Sequence, residues 1–318
     1  GVNRVYDGGT VATVTTTDDR VSGDVFDINR IASYADKNVG VNKAVSVSGV
    51  SISDPSGVSS IDAANYSVVA TGSASATITA RPLTLSYSGV NKVYDGLFTA
   101  SVITDPTAAT GYVSGDVLSV NRTAAFVDKN VGTVNINVTG VSLGGSDAAN
   151  YQVVDGNGTV TSLGSTSANI TPKLLSAALV GSIQKTYDGN TNANLSISGT
   201  SLPDKVTGDI VSVSSVTGSF DTRHVGTGKT VTITAASLTG TDVNNYTVNL
   251  NGQGGTANIT QLASATYVGA SGGDWSNAAN WAVTGTTTPT GVLPDASNVA
   301  LAIIPTGKTV VASPALGY

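Results

Sequence analysis

The residues able to do chemistry in this chain are few in kind. Cysteine and methionine are absent, His224 is the single histidine, and every one of the 21 acidic residues is an aspartate. Without thiols there is no disulfide framework, thiolate nucleophile, zinc–thiolate centre or iron–sulfur cluster. One imidazole excludes a multi-histidine metal site and leaves at most one arrangement of the Ser-His-Asp kind. What recurs is carboxylate and phenol. Tyr6-Asp7-Gly8 returns as Tyr94-Asp95-Gly96 and Tyr187-Asp188-Gly189. Asp24, Asp116 and Asp209 each follow a Ser-Gly or Thr-Gly pair. Oxygen ligands at fixed spacing suit calcium, which takes about six to eight of them. Those three aspartates are the metal candidates. No EF-hand loop or Gly-Gly-x-Gly-x-Asp run accompanies them, so the expectation is no cofactor, with calcium as the alternative. The Tyr-Asp-Gly triplets read more simply as Asp-Gly turns with a tyrosine packed beside them.

Other candidates have equally plain alternatives. Trp275 and Trp281, the two tryptophans, could stack on a sugar ring, or be core in a chain so poor in aromatics. Lys37-Asn38 and Lys129-Asn130 invite an isopeptide bond, but adjacent residues cannot face each other in a strand, and a solvated loop lysine is the expectation. His224 replaces Asn38 and Asn130 of the other copies and reads as a surface substitution. Asp18-Asp19 are neighbours in a loop and mark no glycosidase pair, so no enzyme is expected. The net charge of −6 argues against nucleic acid, which needs a basic footprint. No apolar run reaches the roughly 20 residues of a transmembrane helix. The chain does not begin with Met and reads as a processed product or a fragment of an exported protein.

The elements that must position these residues repeat with them. After each Tyr-Asp-Gly come Asp24, Asp116 or Asp209, then a second aspartate twelve residues on (Asp36, Asp128, Asp221). Asp62-Ala63-Ala64-Asn65-Tyr66 follows, matched by Asp147 to Tyr151 and by Asp242 to Tyr246; each copy closes on Ala-x-Ile-Thr, at Ala76, Ala168 and Ala257. A spacing near 90 residues fits a small β domain. Serine and threonine make about a quarter of the chain, and stretches such as Val134-Asn135-Ile136-Asn137-Val138 alternate strictly, which predicts half-buried antiparallel strands between tight turns. The fold expected is all-β: tandem immunoglobulin-like sandwiches over 1–80, 81–172 and 173–261, or β-grasp-like repeats as the alternative. A truncated Trp-containing β module is expected over 262–318. Tyr66, Tyr151 and Tyr246 have the placing of tyrosine corners, whose hydroxyls bond nearby backbone.

The copies join directly through Arg81-Pro82-Leu83 and Pro172-Lys173-Leu174. Gly1 aligns with Gly89, so the first copy lacks the strand that Leu83–Tyr87 gives the second. The sheet edge near Val2 to Tyr6 is therefore expected to be bare until a preceding repeat, or a neighbouring subunit of a filament, covers it.

Together, Tyr-Asp-Gly, the Asp-Lys-Asn-Val-Gly blocks at Asp36 and Asp128, the Asp-Ala-Ala-Asn-Tyr blocks and the closing Ala-x-Ile-Thr resemble the YDG-type repeats of filamentous-haemagglutinin-like bacterial surface adhesins and exoproteins. The resemblance spans residues 1–261 and carries no catalytic residues. It implies an exported repeat protein of a Gram-negative cell surface, a structural stalk of an adhesin or extracellular filament serving attachment or biofilm. Its partners would be neighbouring repeats or filament subunits; the alternative is a carbohydrate-binding module array that meets surface glycans through loops at the domain tips.

Overall fold

The computed structural model describes residues 1–312 apart from positions 58, 60, 70–72, 181–182, 250–251 and 288; the last six residues of the tail module lie outside it. Among the described residues the chain is all-β, with strands, short 3₁₀ turns and no α-helix. Contacts divide it into two compact units, Gly1–Lys92 with Leu97–Ile170, and Val93–Gly96 with Thr171–Tyr318.

Each repeat is built on a long hairpin. In the first, Asp27–Tyr34 pairs antiparallel with Gly40–Ser53, which pairs antiparallel with the closing strand Ala74–Thr79. In the second, Ser119–Phe126, Gly132–Gly144 and Gly164–Thr171 are arranged alike. In the third, the same places are taken by Ser212–Phe220, Gly226–Thr239 and Gly254–Thr260. The alternation legible in the sequence is the alternation of burial: Val134, Ile136 and Val138 point to the core while Asn135 and Asn137 face out.

The antiparallel expectation holds for these hairpins but not for the strands at either end of a repeat. Arg4–Val5 runs parallel to Ala74–Thr79, and Ile183–Thr186 parallel to Gly254–Thr260. The lead-in strands are also parallel to their partners, Arg81–Leu83 to Tyr151–Val153 and Lys173–Ser176 to Tyr246–Asn249. Hydrophobic alternation is the same for either direction, so it could not report this. The parallel pairing has a positional result. It brings the Tyr-Asp-Gly turn to the end of the repeat where the chain leaves, since Arg4–Val5 and the closing strand finish together.

The bare edge of the first repeat is not where the sequence placed it. Val2 donates to the Thr13 carbonyl, and Arg4–Val5 is paired. Because lead-in strands pair with the strand after the corner tyrosine, the unpaired segment is Tyr66–Val69, beside which no strand lies among the described residues. The alignment of Gly1 with Gly89 is physical. A Cβ on Gly1 would stand 2.5 Å from the Ser75 carbonyl oxygen, and one on Gly89 would stand 2.4 Å from that of Ser167.

In the tail module Ala265–Tyr267 lies between Trp281–Val283, antiparallel, and Ala302–Ile303, parallel. Ala265, Tyr267, Trp281 and Val299 form its buried core.

Candidate functional site

The repeated landmarks converge at the exit end of each repeat. The tyrosine amide is held by the closing strand: Tyr6 donates to the Thr79 carbonyl at 2.9 Å, Tyr94 to Thr171 at 2.9 Å and Tyr187 to Thr260 at 2.8 Å. The aspartate then folds the chain back. The Asp7 carboxylate accepts from the Gly9 amide at 2.9 Å, and that of Asp188 from Asn190 at 3.1 Å. The third residue has φ of 81°, 76° and 81° at Gly8, Gly96 and Gly189, a conformation that disfavours other side chains. The space is closed too: a Cβ on Gly8 would lie 2.7 Å from Val113, on Gly96 2.8 Å from Val206 and on Gly189 2.3 Å from Val292. The turn reading of Tyr-Asp-Gly is correct as far as it goes. It leaves out that the tyrosine is buried and reaches a partner far along the chain.

That partner is Asp116. The Tyr6 hydroxyl donates to its carboxylate at 2.8 Å, across 110 positions. The corner tyrosine Tyr151 donates to the same carboxylate at 2.5 Å and accepts from the Val113 amide at 3.0 Å. The two rings meet edge to face with centroids 5.5 Å apart, a geometry that contributes about 0.5–1.5 kcal/mol beyond burial. Lys37 completes the cluster, with its ammonium 2.5 Å from Asp116 and 2.8 Å from Asp147. Lys37 sits in the loop between the hairpin strands, and because Gly40 pairs with Ile78 that loop shares the exit end with Tyr6. Asn150, buried in the receiving repeat, accepts from the Val39 amide at 2.9 Å and donates to the Asn38 side chain at 3.1 Å. Tyr6, Leu83 and Tyr151 belong to one continuous apolar core.

The electrostatics follow from this crowding. Burial opposes ionisation of Asp116, but the bonds from Lys37, Tyr151 and Tyr6 outweigh it and hold the carboxyl below the usual carboxylate range. The Lys37 bond, followed by one from the Val117 amide, does the same for Asp147. Lys37 is raised above the ordinary lysine value, chiefly by Asp116 and next by Asp147. Burial, then the bond to Asp116, raises Tyr151.

The second compact unit repeats the arrangement. Tyr94 donates to Asp209 at 2.8 Å, and Tyr246 donates to the same oxygen at 2.5 Å while accepting from the Val206 amide at 3.1 Å. Their centroids are 5.4 Å apart. Burial and the Asp209 bond push Tyr246 up to about 12. In the first repeat the corner exists alone. Tyr66 donates to Asp24 at 2.7 Å and accepts from Val21 at 2.8 Å, and both side chains are half-buried.

The expected sites are thus redistributed. Asp24, Asp116 and Asp209, the calcium candidates, point their oxygens at tyrosine hydroxyls; in Asp116 both oxygens are taken by hydroxyl and ammonium donors. Among the described residues no group of three or more acidic or histidine side chains is gathered as a metal site. The corner tyrosines bond backbone, but not the neighbouring backbone expected: the hydroxyls of Tyr66, Tyr151 and Tyr246 accept from the Val21, Val113 and Val206 amides, 45, 38 and 40 positions away, and donate to an aspartate. Lys37 is not the solvated loop lysine expected: two carboxylates of the next repeat face it, which nothing in its own loop could reveal. Trp281 is fully buried, edge-on to Tyr267 and Trp275, and its indole N–H donates to the Trp275 carbonyl at 3.0 Å. That leaves it no face for a sugar. His224 is exposed, as expected. Sequence reasoning missed Asn150 and Asp147 as joint residues, and one signal that was available. The Val-x-x-Asp spacing of Val113–Asp116 and Val206–Asp209 recurs in the tail module at Val292–Asp295. There Val292 again presses on a Tyr-Asp-Gly glycine, while Asp295 turns to its own loop and accepts from the Ser297 and Asn298 amides.

No curated protein and no solved structure matches the chain. Three consecutive segments, residues 1–76, 79–161 and 171–257, match the YDG domain. Each match holds one Tyr-Asp-Gly turn and one corner tyrosine, the donor and the acceptor halves of the joint just described. The chain belongs to the YDG domain family and carries three copies of it in tandem.

Proposed function

We propose that the chain is a structural stalk: a non-catalytic repeat region of a secreted or cell-surface adhesin or extracellular filament, exported by a Gram-negative bacterium and serving attachment or matrix assembly. The observation that carries this reading is the use of the landmark residues. Tyr6, Lys37, Asp116, Asp147, Asn150 and Tyr151 are spent on joining one repeat to the next. Residues that recur copy after copy in a protein built to bind or transform a ligand would converge on an open cavity. Here they converge on a buried joint, whose product is a repeat held to its neighbour.

Composition supports export. A chain free of thiols and thioethers, with few charges, folds without redox partners and offers nothing to the sulfur oxidation ladder. The alternative of a carbohydrate-binding array is left with one of its two tryptophans, the half-buried Trp275, since Trp281 is fully buried. Two measurements decide between them. Antibodies against the chain should label intact, unpermeabilised producing cells, and the purified chain should retain no glycan on an array. Labelling only after permeabilisation would sink the surface reading. Selective glycan retention would favour the carbohydrate one.

A further inference from the structure

The first repeat carries the receiving residues of the joint, and among the described residues no exit end lies against them. Asp24 and Tyr66 stand where Asp116 and Tyr151 stand, and Val21 where Val113 presses on Gly8. Every exposure differs in one direction. Val21 is 65% exposed, Val68 42% and Val69 79%, whereas Val153 and Val154, their counterparts in the second repeat, are 9% and 6% exposed. Asn65 is exposed, but Asn150 and Asn245 are buried at 2% and 3%. Among the described residues no strand lies beside the segment Tyr66–Val69, while Tyr151–Val153 and Tyr246–Asn249 each carry a parallel lead-in strand. Apolar side chains, a carboxylate and open backbone groups are thus presented together, in the arrangement that two other repeats fill.

We infer that this face is a docking site for the exit end of a further YDG repeat. That end supplies a Tyr-Asp-Gly turn whose hydroxyl donates to Asp24. Its lysine pairs with Asp24 and Asp62, the counterpart of Asp147, and its lead-in strand of the Arg-Pro-Leu-Thr-Leu kind adds to Tyr66–Val69 by parallel β-augmentation. The occupant is identified by what fills the same place in this chain: a tyrosine hydroxyl and a parallel lead-in strand at both Asp116 and Asp209, with a lysine ammonium beside them at Asp116. The inference rests on reading the cluster around Asp116 as the joint between repeats, and is independent of export or adhesion.

The test uses the full 318-residue chain and an extended form in which residues 1–88 are repeated ahead of Gly1. Ser88 of the added copy then runs into Gly1 as Ser88 runs into Gly89. The amides of Ser67, Val68 and Val69 should exchange with solvent about tenfold or more slowly in the extended chain. Val69→Lys, at an exposed position, should leave the native chain folded and abolish that slowing. Asp24→Ala should lower the urea midpoint of the extended chain more than that of the native one. A synthetic peptide of Arg81–Tyr87, added to the native chain, should slow the same three amides to a lesser degree. Unchanged exchange with both the extension and the peptide overturns the docking site. Asp116→Ala in the native chain reports separately: no loss of stability there would overturn the joint itself.

Discussion

The first and second repeats carry the same receiving residues in two conditions. Around Asp116 the carboxylate takes bonds from two tyrosines and a lysine, and the valines behind Tyr151 are buried. Around Asp24 one tyrosine remains and the valines behind it are exposed. The local fold is nonetheless the same: Asp62 accepts from the Val25 amide as Asp147 accepts from Val117, and Tyr66 accepts from Val21 as Tyr151 does from Val113. The corner is therefore a property of one repeat, and the burial of its aspartate a property of two. The difference between the repeats measures what a neighbour contributes.

The sharpest way to break the comparison is to delete the carboxylates. Asp116→Ala leaves Tyr6, Tyr151 and Lys37 without their common acceptor and should cost about 3 kcal/mol, against about 1 kcal/mol for Asp24→Ala. Equal urea midpoints for the two variants would show that the neighbour adds nothing. Gly8→Ala should cost about 2 kcal/mol, since it combines a left-handed backbone with a close approach to Val113. The open-turn Gly57, also at positive φ but with free space around it, should cost about half as much on calorimetry. Tyr151→Phe should cost about 1.5 kcal/mol and Tyr66→Phe about 0.5 kcal/mol, because the first orphans a partly buried amide and a shared buried carboxylate and the second only an exposed amide and a half-buried carboxylate.

The mildest expected effect is that of pH, because a protonated Asp116 can still accept a hydrogen bond. Asp116 and Asp147 are lowered in the fold, so their contribution is full above the ordinary carboxylate pKa of about 4 and is lost as pH falls through the folded values. Lys37, Tyr6 and Tyr151 are raised, so theirs is full below about pH 10 and is lost as pH rises through the folded values. In the second unit burial and the bond to Asp209 raise both Tyr246 and Tyr94, so the alkaline loss there should likewise set in above the ordinary tyrosine value of about 10. A urea midpoint flat from about pH 5 to 9 and falling on both sides should lose its acid limb in large part in Asp116→Ala.

Much of this molecule was legible in its sequence because it is local. Alternation, turns and the Asp-Ala-Ala-Asn-Tyr block all act within one copy, and they pointed to the all-β repeats and to Tyr66, Tyr151 and Tyr246. The joint was not legible, for a reason intrinsic to repeats. Tyr6 could have met Asp24, eighteen positions away in its own copy, or Asp116 in the next. A periodic sequence offers both equally, and only the parallel pairing of the first and closing strands decides for the second. Lys37 was hidden likewise: beside Asp36 and Asn38 in a loop it reads as solvated, and its carboxylates come from another copy. The bare edge was misplaced because alternation does not report which neighbour a strand takes.

The parallel pairing also determines how the repeats would meet tension. When a chain is drawn from both ends, the strand nearest its start and the strand nearest its finish are pulled in opposite directions. If those two are antiparallel neighbours, their hydrogen bonds open one at a time like a zip. If they are parallel, as Arg4–Val5 is to Ala74–Thr79 and Ile183–Thr186 to Gly254–Thr260, the pull is along the strands and the bonds must shear together. The first repeat sets two residue pairs in that position and the third sets four, so the third should outlast the first. Rupture under force is governed by the unfolding rate and not by equilibrium stability. A repeat of modest stability can thus hold against a pull that would unzip a more stable domain.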